Sequence, residues 1–406
     1  MNAARSLVLA VLGRLREGRI EFIEDGRRHA VGPSDAALRA KVQVHSPRLW
    51  SSLLHGSVGL ADAYREGAWD CDDLVTLIRI GAREMPRIDR LRKPVTPLMP
   101  LLSRVPRNTL TGSRRNIAEH YDLGNDLFAL FLDETMTYSC AHFEHPDATL
   151  REAQDAKLER ICRKLALAPE DHLLEMGAGW GPLAVHAALH HGCRVTTTTI
   201  SEEQFSFVME RVQTAGVEDR VTVLFEDYRE LRGRFDKLVS IEMIEGIGWQ
   251  YFDEFFRRCS QLLEPDGLML LQAIVIDDRA YDVEKATRSF IKTVVFPGSC
   301  LPSVEVIERC LARVTDMRTL ELEDITAHYA ETTRNWRERF LANADRAAEL
   351  GYDRSFRRMW ELYFAWAEAG FRERRIGDVR MLLAKPLYRA ESGEAMLEET
   401  LTTLPR

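Results

Sequence analysis

The chain has 406 residues, of which 45% are hydrophobic and 29% charged, a composition typical of a globular protein with two or three domains. A formal net charge of −8 argues against generic nucleic-acid binding. The seven scattered cysteines include no CxxC pair, which favours free thiols in a reducing compartment and argues against a structural zinc site. No apolar run reaches the length of about 20 residues that a membrane span needs, so we expect a cytoplasmic protein.

Residues 1–82 are predicted to form a small α+β domain. Leu7–Leu12 is a short apolar stretch with arginines on both sides and no small-residue cleavage site behind it, so it indicates an amphipathic helix rather than a signal peptide. An alternating pattern that runs into the turn residues Asp25 and Gly26 predicts a strand and a tight turn. The predicted strands and helical stretch are Gly18–Ile23, Val42–Val44 and Ser57–Ile80.

Residues 83–115 differ in composition from what precedes them, with nine basic residues, two acidic residues and five prolines. The prolines predict a break in regular structure, and an exposed interdomain linker is one interpretation. An apolar stretch, Leu98–Leu102, lies between the charges. The alternative is therefore a surface that contacts anionic lipid headgroups. There the basic residues gain electrostatic attraction and the apolar residues gain from partial burial.

Residues 116–390 alternate strands with helices, which predicts an α/β domain with a parallel, doubly wound sheet. The predicted strands are Leu173–Met176, Arg194–Ile200, Val221–Phe225, Lys237–Ile241, Leu268–Ile274 and Val379–Leu387. The predicted helices are Pro182–His191, Glu202–Thr214 with Ser201 as its cap, and Tyr251–Leu263. Residues 277–375 are predicted to be mostly helical, and their many aromatic side chains would form core or wall an apolar tunnel. The polar residues 391–406 are predicted to be a peripheral tail.

A glycine-rich turn separates the first of these strands from its helix. The segment Glu175–Gly181 has the pattern ExGxGxG, whereas a dinucleotide-binding fold has GxGxxG with its third glycine inside the helix. An acidic side chain beside the turn suits a positively charged ligand, and no pyrophosphate needs to lie on the helix N-terminus. The pattern therefore favours S-adenosylmethionine over NAD, with a glycine-rich turn that binds no ligand as the alternative.

The ends of the next three strands carry polar residues, at the edge of the sheet where ligands bind in open α/β folds. Most methyltransferases have an acidic residue after the second strand to hold the ribose hydroxyls, whereas this chain has Thr199 and, shortly after it, Gln204. Glu226 and Asp227 follow the third strand, where an acid can hold the adenine amino group. The acid-containing segment Ser240–Glu245 follows the fourth strand.

Together these segments resemble the cyclopropane-fatty-acyl-phospholipid synthase family, which includes the mycolic acid cyclopropane synthases. The resemblance spans about residues 116–388 and extends weakly into the N-terminal part through Gly56–Leu60 and Gly67–Asp70. A chance match to one segment does not predict the others, so the set is specific. The matching segments are Tyr121–Asn125, Met136–Cys140, the glycine turn, Thr199–Gln204, Ser240–Glu245, Leu271–Ile274 and Phe296–Pro302.

The resemblance implies a Rossmann-like methyltransferase domain with helical insertions. Such an enzyme would transfer a methyl or methylene group from S-adenosylmethionine to the double bond of unsaturated acyl chains in membrane phospholipids, giving cyclopropane fatty acids. The residues that the resemblance assigns to the S-adenosylmethionine site are Tyr138, Ser139, Gly177, Gly179, Thr199, Gln204, Glu226 and Ile241. The glycine turn adds Glu175 and Gly181 to this predicted site, and the end of the third strand adds Asp227. The residues that the resemblance assigns to a catalytic bicarbonate site are Cys140, Glu245, Ile274 and Tyr329, and Gln272 is predicted to complete this site at a position where the family commonly has another residue.

Bicarbonate would act as the base in the reaction that the resemblance implies. The alkene attacks the sulfonium methyl group, a carbocation forms at the neighbouring carbon, and ring closure needs a proton to leave the new methyl group. A small anion can accept that proton and stabilise the cation. The alternative roles are structural, with Cys140 as a small buried residue, Glu245 as a solvated glutamate and Tyr329 as a packing aromatic.

Three positions depart from the family's usual pattern. Ala178 and Ala367 stand where cysteines are common, and the mechanism needs neither thiol. Gln272 stands where the bicarbonate site commonly has a histidine, and an amide can donate a hydrogen bond but cannot carry a charge. A cation that loses its proton without ring closure gives a methylene-branched chain. The sequence therefore predicts methyl transfer and leaves ring closure open.

The sequence leaves three further interpretations open: a methylene- or methyl-branched product, methylation of a soluble small molecule, and a non-catalytic lipid-binding protein that kept the fold. The predicted partners are unsaturated phospholipid acyl chains and the inner face of the membrane, which the enzyme would contact peripherally. The resemblance to long, two-domain members of the family also implies a homodimer. Neither a metal ion nor a nucleic acid is expected.

Overall fold

The computed structural model of the chain describes residues 3–98 and 124–389. The helices are α1 (Ala3–Leu12), α2 (Arg48–Leu53), α3 (Gly56–Arg65), α4 (Leu74–Arg92), α5 (Asn125–Ala129), α6 (Leu150–Lys164), α7 (Pro182–His190), α8 (Glu202–Ala215), α9 (Ile244–Ile247), α10 (Phe252–Leu262), α11 (Tyr281–Ala286), α12 (Val304–Val314), α13 (Thr326–Ala342), α14 (Ala344–Glu349) and α15 (Arg354–Arg372). The strands are β1 (Arg19–Glu24), β2 (Arg27–Val31), β3 (Arg39–Val44), β4 (Trp69–Cys71), β5 (His172–Met176), β6 (Arg194–Thr199), β7 (Val221–Phe225), β8 (Phe235–Ile241), β9 (Leu263–Ile276), β10 (Arg318–Asp324) and β11 (Ile376–Ala384). Short 3₁₀-helices cover Lys93–Leu98 and Trp249–Tyr251, and a π-helix covers Ile291–Val295.

The N-terminal sheet has the strand order β2-β1-β3-β4. β1 and β2 form the hairpin that the turn residues predict, and Asp25 and Gly26 adopt the positive φ angles (49° and 74°) that such a two-residue turn requires. β4 lies inside the stretch Ser57–Ile80 whose pattern predicts helix, so the prediction is wrong for these three residues. Trp69 of β4 is fully buried, and the strand pairs with β3. Three residues are too few to show an alternating pattern in the sequence, so tertiary packing determines this strand.

Helix α4 continues well into the segment 83–115, where the prolines predict a break. A proline inside a helix, here Pro86, costs about 3 kcal/mol. Arg79 and Arg83 of α4 both donate to the carboxylate of Glu373, at the end of α15, over 2.6 Å. These ion pairs and the packing of α4 on α15 hold the helix across the proline, so the predicted break is wrong at this position. The part of the segment beyond residue 98 lies outside the described residues.

The larger sheet has the strand order β10-β11-β9-β8-β5-β6-β7. The strands from β9 to β7 are parallel, and β11 and β10 are antiparallel to their neighbours. This confirms the predicted α/β fold with a doubly wound sheet. β10 falls in the stretch 277–375 that is predicted to be mostly helical, and its strand is missed. It is an edge strand whose leucines, Leu320 and Leu322, are exposed, so it lacks the apolar pattern of a buried strand.

The helices around this sheet follow the sequence closely. α7, α8 and α10 begin and end within one residue of their predicted bounds. Ser201 caps α8 as predicted, since its hydroxyl accepts a hydrogen bond from the N–H of Gln204. None of the helices in the described parts of the chain has the length and apolarity needed to cross a membrane.

Helix α15 joins the N-terminal part to the large sheet. Its aromatic residues, with those of α13, form a buried cluster that includes Trp336 and Phe364. Arg358 of α15 also donates to the backbone carbonyls of Tyr64 and Trp69, over 2.6 and 2.8 Å. Most of the aromatic residues between positions 277 and 375 are therefore core. Several of them, including Trp336, also face an internal space between the two sheets.

A glycine substitution tests how α7 packs on α8. Gly181, at the start of α7, has φ 80°, and an added Cβ would lie 2.9 Å from the buried side chain of Val208. We expect Gly181→Ala to lower the free energy of unfolding by about 2–4 kcal/mol, from backbone strain and the clash together. Urea denaturation followed by tryptophan fluorescence measures this. Gly216→Ala is the control, because its φ is 66° but nothing lies within 4 Å of the new Cβ, so it should cost only about 1 kcal/mol. Equal losses in both variants would contradict the packing role.

Candidate active site

An internal cavity of about 780 Å³ lies at the carboxyl ends of β5, β6, β7 and β8. At the sheet its lining contains the glycine turn and polar side chains such as Ser139 and Glu175; we name this part the polar end. Away from the sheet its lining is apolar and includes Phe22, Leu49 and Leu77; we name this part the apolar chamber. One continuous space therefore joins a polar ligand site to a chamber formed largely by residues of the N-terminal part.

The glycine turn leaves open space at the polar end. Gly177 and Gly179 have φ angles of 93° and 52°, in the left-handed region that favours glycine. A Cβ at Gly179 would meet nothing within 4 Å, and one at Gly177 would meet only the side chain of Met243, at 3.5 Å. Gly181 does not line the cavity and instead allows α7 to approach α8. The first two glycines therefore bring the backbone to the edge of the cavity.

Glu175, the acid of the glycine turn, is buried at the end of β5. Its carboxylate accepts a hydrogen bond from the Thr197 hydroxyl over 2.6 Å. Burial raises the pKa of Glu175 to about 8, although this hydrogen bond favours the ionised form. A positively charged ligand in the polar end would stabilise the carboxylate and lower that pKa again.

The strand ends carry the polar residues that the sequence predicts there. The Thr199 hydroxyl donates to the Gln204 side-chain carbonyl over 2.8 Å, and both residues line the polar end. Glu226 is exposed at the rim of the cavity. Asp227 is buried, and Arg229 donates to each of its carboxylate oxygens over 2.7 Å. Glu226 is therefore the more accessible of these two acidic residues.

The loop before α6 closes the polar end from the other side. Ser139 accepts a hydrogen bond from Lys157 Nζ over 2.7 Å, and its carbonyl accepts one from Gln154 Nε2 over 3.0 Å. The hydroxyls of Tyr138 and Tyr363 lie 2.8 Å apart. Burial lowers the pKa of Lys157 to about 8. Lys157 is not among the residues predicted from the sequence, although a lysine on the apolar face of the amphipathic helix α6 is a signal that could identify it.

These residues fit S-adenosylmethionine. Every residue assigned to that ligand lines the polar end except Gly181. The space above the turn at Gly179 admits a ligand close to the backbone, and the buried acid Glu175 suits a cationic one. The molecule supplies a sulfonium methyl group as an electrophile when it is bound.

A second glutamate, which is not among the residues predicted from the sequence, accepts three hydrogen bonds at the cavity. Glu242 follows β8, and its Oε1 accepts hydrogen bonds from the Cys140 N–H and from Gln272 Nε2, both over 2.8 Å. Its Oε2 accepts one from the Tyr329 hydroxyl over 2.5 Å. The φ of Glu242 is 49°, in the left-handed region. The sequence signal was present, because the segment Ser240–Glu245 contains two acids and only the second was considered.

Glu245, the acid that was assigned, lies one helical turn further along, in α9. One carboxylate oxygen accepts a hydrogen bond from the Ile274 N–H. The other, Oε2, is buried and has no hydrogen-bond partner among the described residues. Burial, helped by the negative charge of Glu242, raises the pKa of Glu245 to about 8. Glu245 is therefore largely protonated at neutral pH. Burial raises the pKa of Glu242 as well, but the hydrogen bonds from Tyr329, the Cys140 N–H and Gln272 favour its ionised form.

An arginine behind the site determines how Gln272 is oriented. Arg380 is almost fully buried on β11 and donates to the Gln272 side-chain carbonyl over 3.1 Å. The amide NH₂ of Gln272 must then point the other way, towards Glu242. Asp378, on the same strand, is fully buried, and burial together with the charge of Glu242 raises its pKa far above the usual range.

A bicarbonate ion does not fit this arrangement. Three of the groups predicted to bind it are the Cys140 N–H, Gln272 and Tyr329, and all three donate to Glu242. The Ile274 N–H donates to Glu245. A free anion would have to replace these bonds beside the ionised carboxylate of Glu242, and two like charges in a buried site disfavour each other.

Comparison with known proteins agrees with the geometry. A family model described as "Mycolic acid cyclopropane synthetase" matches residues 108–381. The chain is 39% identical over 329 residues to the tuberculostearic acid methyltransferase UfaA1 of Mycobacterium tuberculosis, an alignment that covers 78% of this chain and 76% of that protein. It is 36% identical over 345 residues to the cyclopropane-fatty-acyl-phospholipid synthase of Escherichia coli K12, covering 83% of this chain and 86% of that protein.

Solved structures give the same result. The mycolic acid cyclopropane synthase CmaA1 complexed with SAH and CTAB is similar with a TM-score of 0.63 and 31% identity, covering 67% of this chain and 98% of that one. The cyclopropane synthase MmaA2 from Mycobacterium tuberculosis has a TM-score of 0.63 and 30% identity, covering 67% and 98%. The structural likeness thus spans almost the whole of these two proteins.

The raised pKa of Glu245 predicts a pH-dependent stability. The folded chain binds a proton at Glu245 up to a pH of about 8, whereas the unfolded chain releases it near 4.5. This contribution to stability is complete below pH 4.5 and is lost as the pH rises through 8. Glu245→Gln removes the proton exchange. We expect the free energy of unfolding of the wild type, relative to this variant, to fall by about 2–4 kcal/mol between pH 5 and 8.5. Urea titrations at several pH values measure it, and parallel pH profiles would contradict the assignment.

Proposed function

The chain belongs to the mycolic acid cyclopropane synthetase family, and from that premise we propose that it converts unsaturated acyl chains of membrane phospholipids to cyclopropane fatty acids. The family's enzymes use S-adenosylmethionine to modify lipid acyl chains, and this chain is an S-adenosylmethionine-dependent enzyme of that kind. The finer points, which are the phospholipid substrate and the ring product, are the proposal.

The cavity is the observation that supports this proposal. Its polar end fits the methyl donor, and its apolar chamber continues from it without a barrier. An acyl chain in that chamber would bring its double bond towards the polar end, and the apolar lining would exclude water from a carbocation. In this proposal residues 1–82 supply much of the chamber's far wall, while residues 116–390 bind the methyl donor. A soluble, polar substrate would leave the apolar chamber without a role.

Aromatic side chains also contribute to the lining of the cavity. Tyr138, Tyr363 and Phe296 all line it, and the rings of Phe296 and Tyr363 are 5.9 Å apart. The faces of such rings attract cations, both a sulfonium and a carbocation. They would stabilise developing positive charge without offering a nucleophile that could trap it.

A methylene- or methyl-branched product is the second candidate. A 1,2-hydride shift in the same carbocation moves the positive charge to the carbon that carries the new methyl group. Loss of a methyl proton then gives a methylene branch on the chain instead of a ring. Two observations favour this candidate: Gln272 stands at a position where the family commonly has histidine, and one relative is named a tuberculostearic acid methyltransferase.

We also propose that the chain meets the membrane at the end of α4. Arg90 and Lys93 are exposed there, and Leu91 between them is 74% exposed. Met85 and Ile88 of the same helix line the apolar chamber. Basic and apolar groups beside a lipid-sized chamber suit an anionic bilayer surface, from which an acyl chain could enter. The inner-face location and the homodimer stay predictions.

The product identifies the reaction. We expect purified protein, incubated with S-adenosylmethionine and vesicles of dioleoyl phosphatidylglycerol, to give lipids whose proton NMR spectrum shows high-field cyclopropane signals. Vinylidene signals without ring signals would move the protein to the second candidate. Mass alone cannot decide, since both products add one CH₂. Unchanged lipid, with S-adenosylmethionine binding intact by calorimetry, would refute the proposed substrate.

Charge reversal tests the membrane surface. We expect the double variant Arg90→Glu, Lys93→Glu to bind anionic vesicles about tenfold or more weakly in sedimentation, because each basic residue near such a surface contributes about 1 kcal/mol. The matched control is Arg194→Glu, Arg257→Glu, which changes the net charge equally at exposed positions elsewhere. Equal weakening in both double variants would show a general charge effect and contradict a defined surface.

A further inference from the structure

We propose that the carboxylate of Glu242 takes the place of bicarbonate in this chain and accepts the proton that the substrate releases as the product forms. The proposal rests on the proposed function, because it concerns the base of that reaction. It departs from the family resemblance, which assigns the role to a free anion.

The hydrogen bonds around Glu242 are the first argument. A planar anion with two or three oxygen atoms needs several converging donors, and here the Cys140 N–H, Gln272 Nε2 and Tyr329 hydroxyl converge. All three come from residues predicted to bind bicarbonate, yet their acceptor is a side chain of the protein. A covalently attached carboxylate and bicarbonate present the same kind of oxygen atoms, so one can replace the other chemically.

The surroundings of the site are the second argument. Arg380 donates to the side-chain carbonyl of Gln272. The side-chain NH₂ group of Gln272 therefore points towards Glu242 and donates to it. Burial raises the pKa of Glu242, and the charge of nearby Lys157 opposes that effect by favouring the ionised carboxylate. On the other side, the carboxyl groups of Glu245 and Asp378 lie close enough to be affected by Glu242's charge. The site thus accommodates one ionised carboxylate and has no provision for a further anion.

The backbone is the third argument. Glu242 is held at φ 49°, a conformation that costs a residue with a side chain about 1 kcal/mol or more. Strain of this kind persists only where surrounding contacts impose it, and it is concentrated at functional sites. The backbone N–H of Glu242 also donates to the backbone carbonyl of Gln272 over 2.8 Å. Strand β9 therefore holds both the backbone and the side chain of Glu242.

The position of Glu242 is suited to proton transfer. It lines the cavity together with Gly177 and Tyr329, and part of its surface stays accessible within that space. The acceptor atom is therefore next to the residues that would hold the methyl donor. A base must be in direct reach of the proton that it removes, and a carboxylate buried behind the lining would fail that condition.

The step balances as follows. The alkene electron pair forms a carbon–carbon bond with the methyl carbon, and the sulfur–carbon bond breaks with its electron pair left on sulfur. A carbocation remains on the neighbouring acyl carbon. A C–H bond of the transferred methyl group then breaks, its electron pair closes the ring on the cationic carbon, and its proton bonds to a Glu242 carboxylate oxygen. The proton passes to solvent before the next turnover.

Removing the charge while keeping the shape is the first test. We expect Glu242→Gln to lose about 100-fold or more of the product formation rate with dioleoyl phosphatidylglycerol vesicles, the usual size of a lost general base. Its S-adenosylmethionine affinity by calorimetry should stay within about threefold, since the change is isosteric and lies beside that site. Glu218→Gln, at an exposed position, is the control and should keep full activity. A Glu242→Gln variant with near-normal product formation would overturn the proposal.

Anion rescue separates a catalytic role from a structural one. In buffer freed of carbon dioxide, we expect wild-type activity to be unchanged by added bicarbonate. Glu242→Gly, which suits the left-handed backbone and frees the three donors, should be nearly inactive and should regain activity with added bicarbonate or acetate. A wild type that needs bicarbonate would refute the proposal, as would a Glu242→Gly variant that binds S-adenosylmethionine but is rescued by neither anion. Failure of the proposed function is distinguishable, because the wild type would then form no lipid product with or without bicarbonate.

Discussion

The hydrogen bonds to the Glu242 carboxylate are the interaction on which the rest of the site depends. They tie together the loop at Cys140, strand β9 through Gln272 and helix α13 through Tyr329, and all three meet at the end of β8. A carboxylate at a buried position is costly unless several donors surround it. Without that carboxylate the three donors would lose their acceptor, so one polar centre links these three elements to the end of β8.

Other buried ionisable side chains surround Glu242 and limit the negative charge there. Arg380 orients Gln272, and Lys157 supports both Ser139 and, electrostatically, Glu242. Glu245 and Asp378 avoid a build-up of negative charge by retaining protons at neutral pH. Such networks gain little stability over an apolar core, but they specify geometry. The apolar chamber beside them needs no such specificity, because an acyl chain is recognised by shape and exclusion of water.

Much of the fold could be predicted from the sequence because its signals are local. The alternation of β5 to β9 with helices, the glycine turn and the Ser201 cap each depend on neighbouring residues. The failures have a common cause in long-range contacts. β4 is a strand because Trp69 is buried against its sheet, and α4 passes Pro86 because Glu373, far along the chain, binds two of its arginines. An edge strand such as β10 has exposed side chains and leaves little pattern.

The sequence by itself determined the α/β fold, the glycine turn after β5 and the family, because these depend on residue types at short, regular spacing. It also identified the residues of the predicted bicarbonate site, but only as separate segments of the chain. Only the tertiary structure decided which of two glutamates receives the donors. Cys140, Gln272 and Tyr329 are separated from Glu242 by 102, 30 and 87 positions, and spacing along a chain carries no information about distances of that kind. Glu242 has a left-handed backbone conformation directly after β8, and this sets the direction of its side chain. Glu242 rather than Glu245 is therefore the acceptor of these three hydrogen bonds.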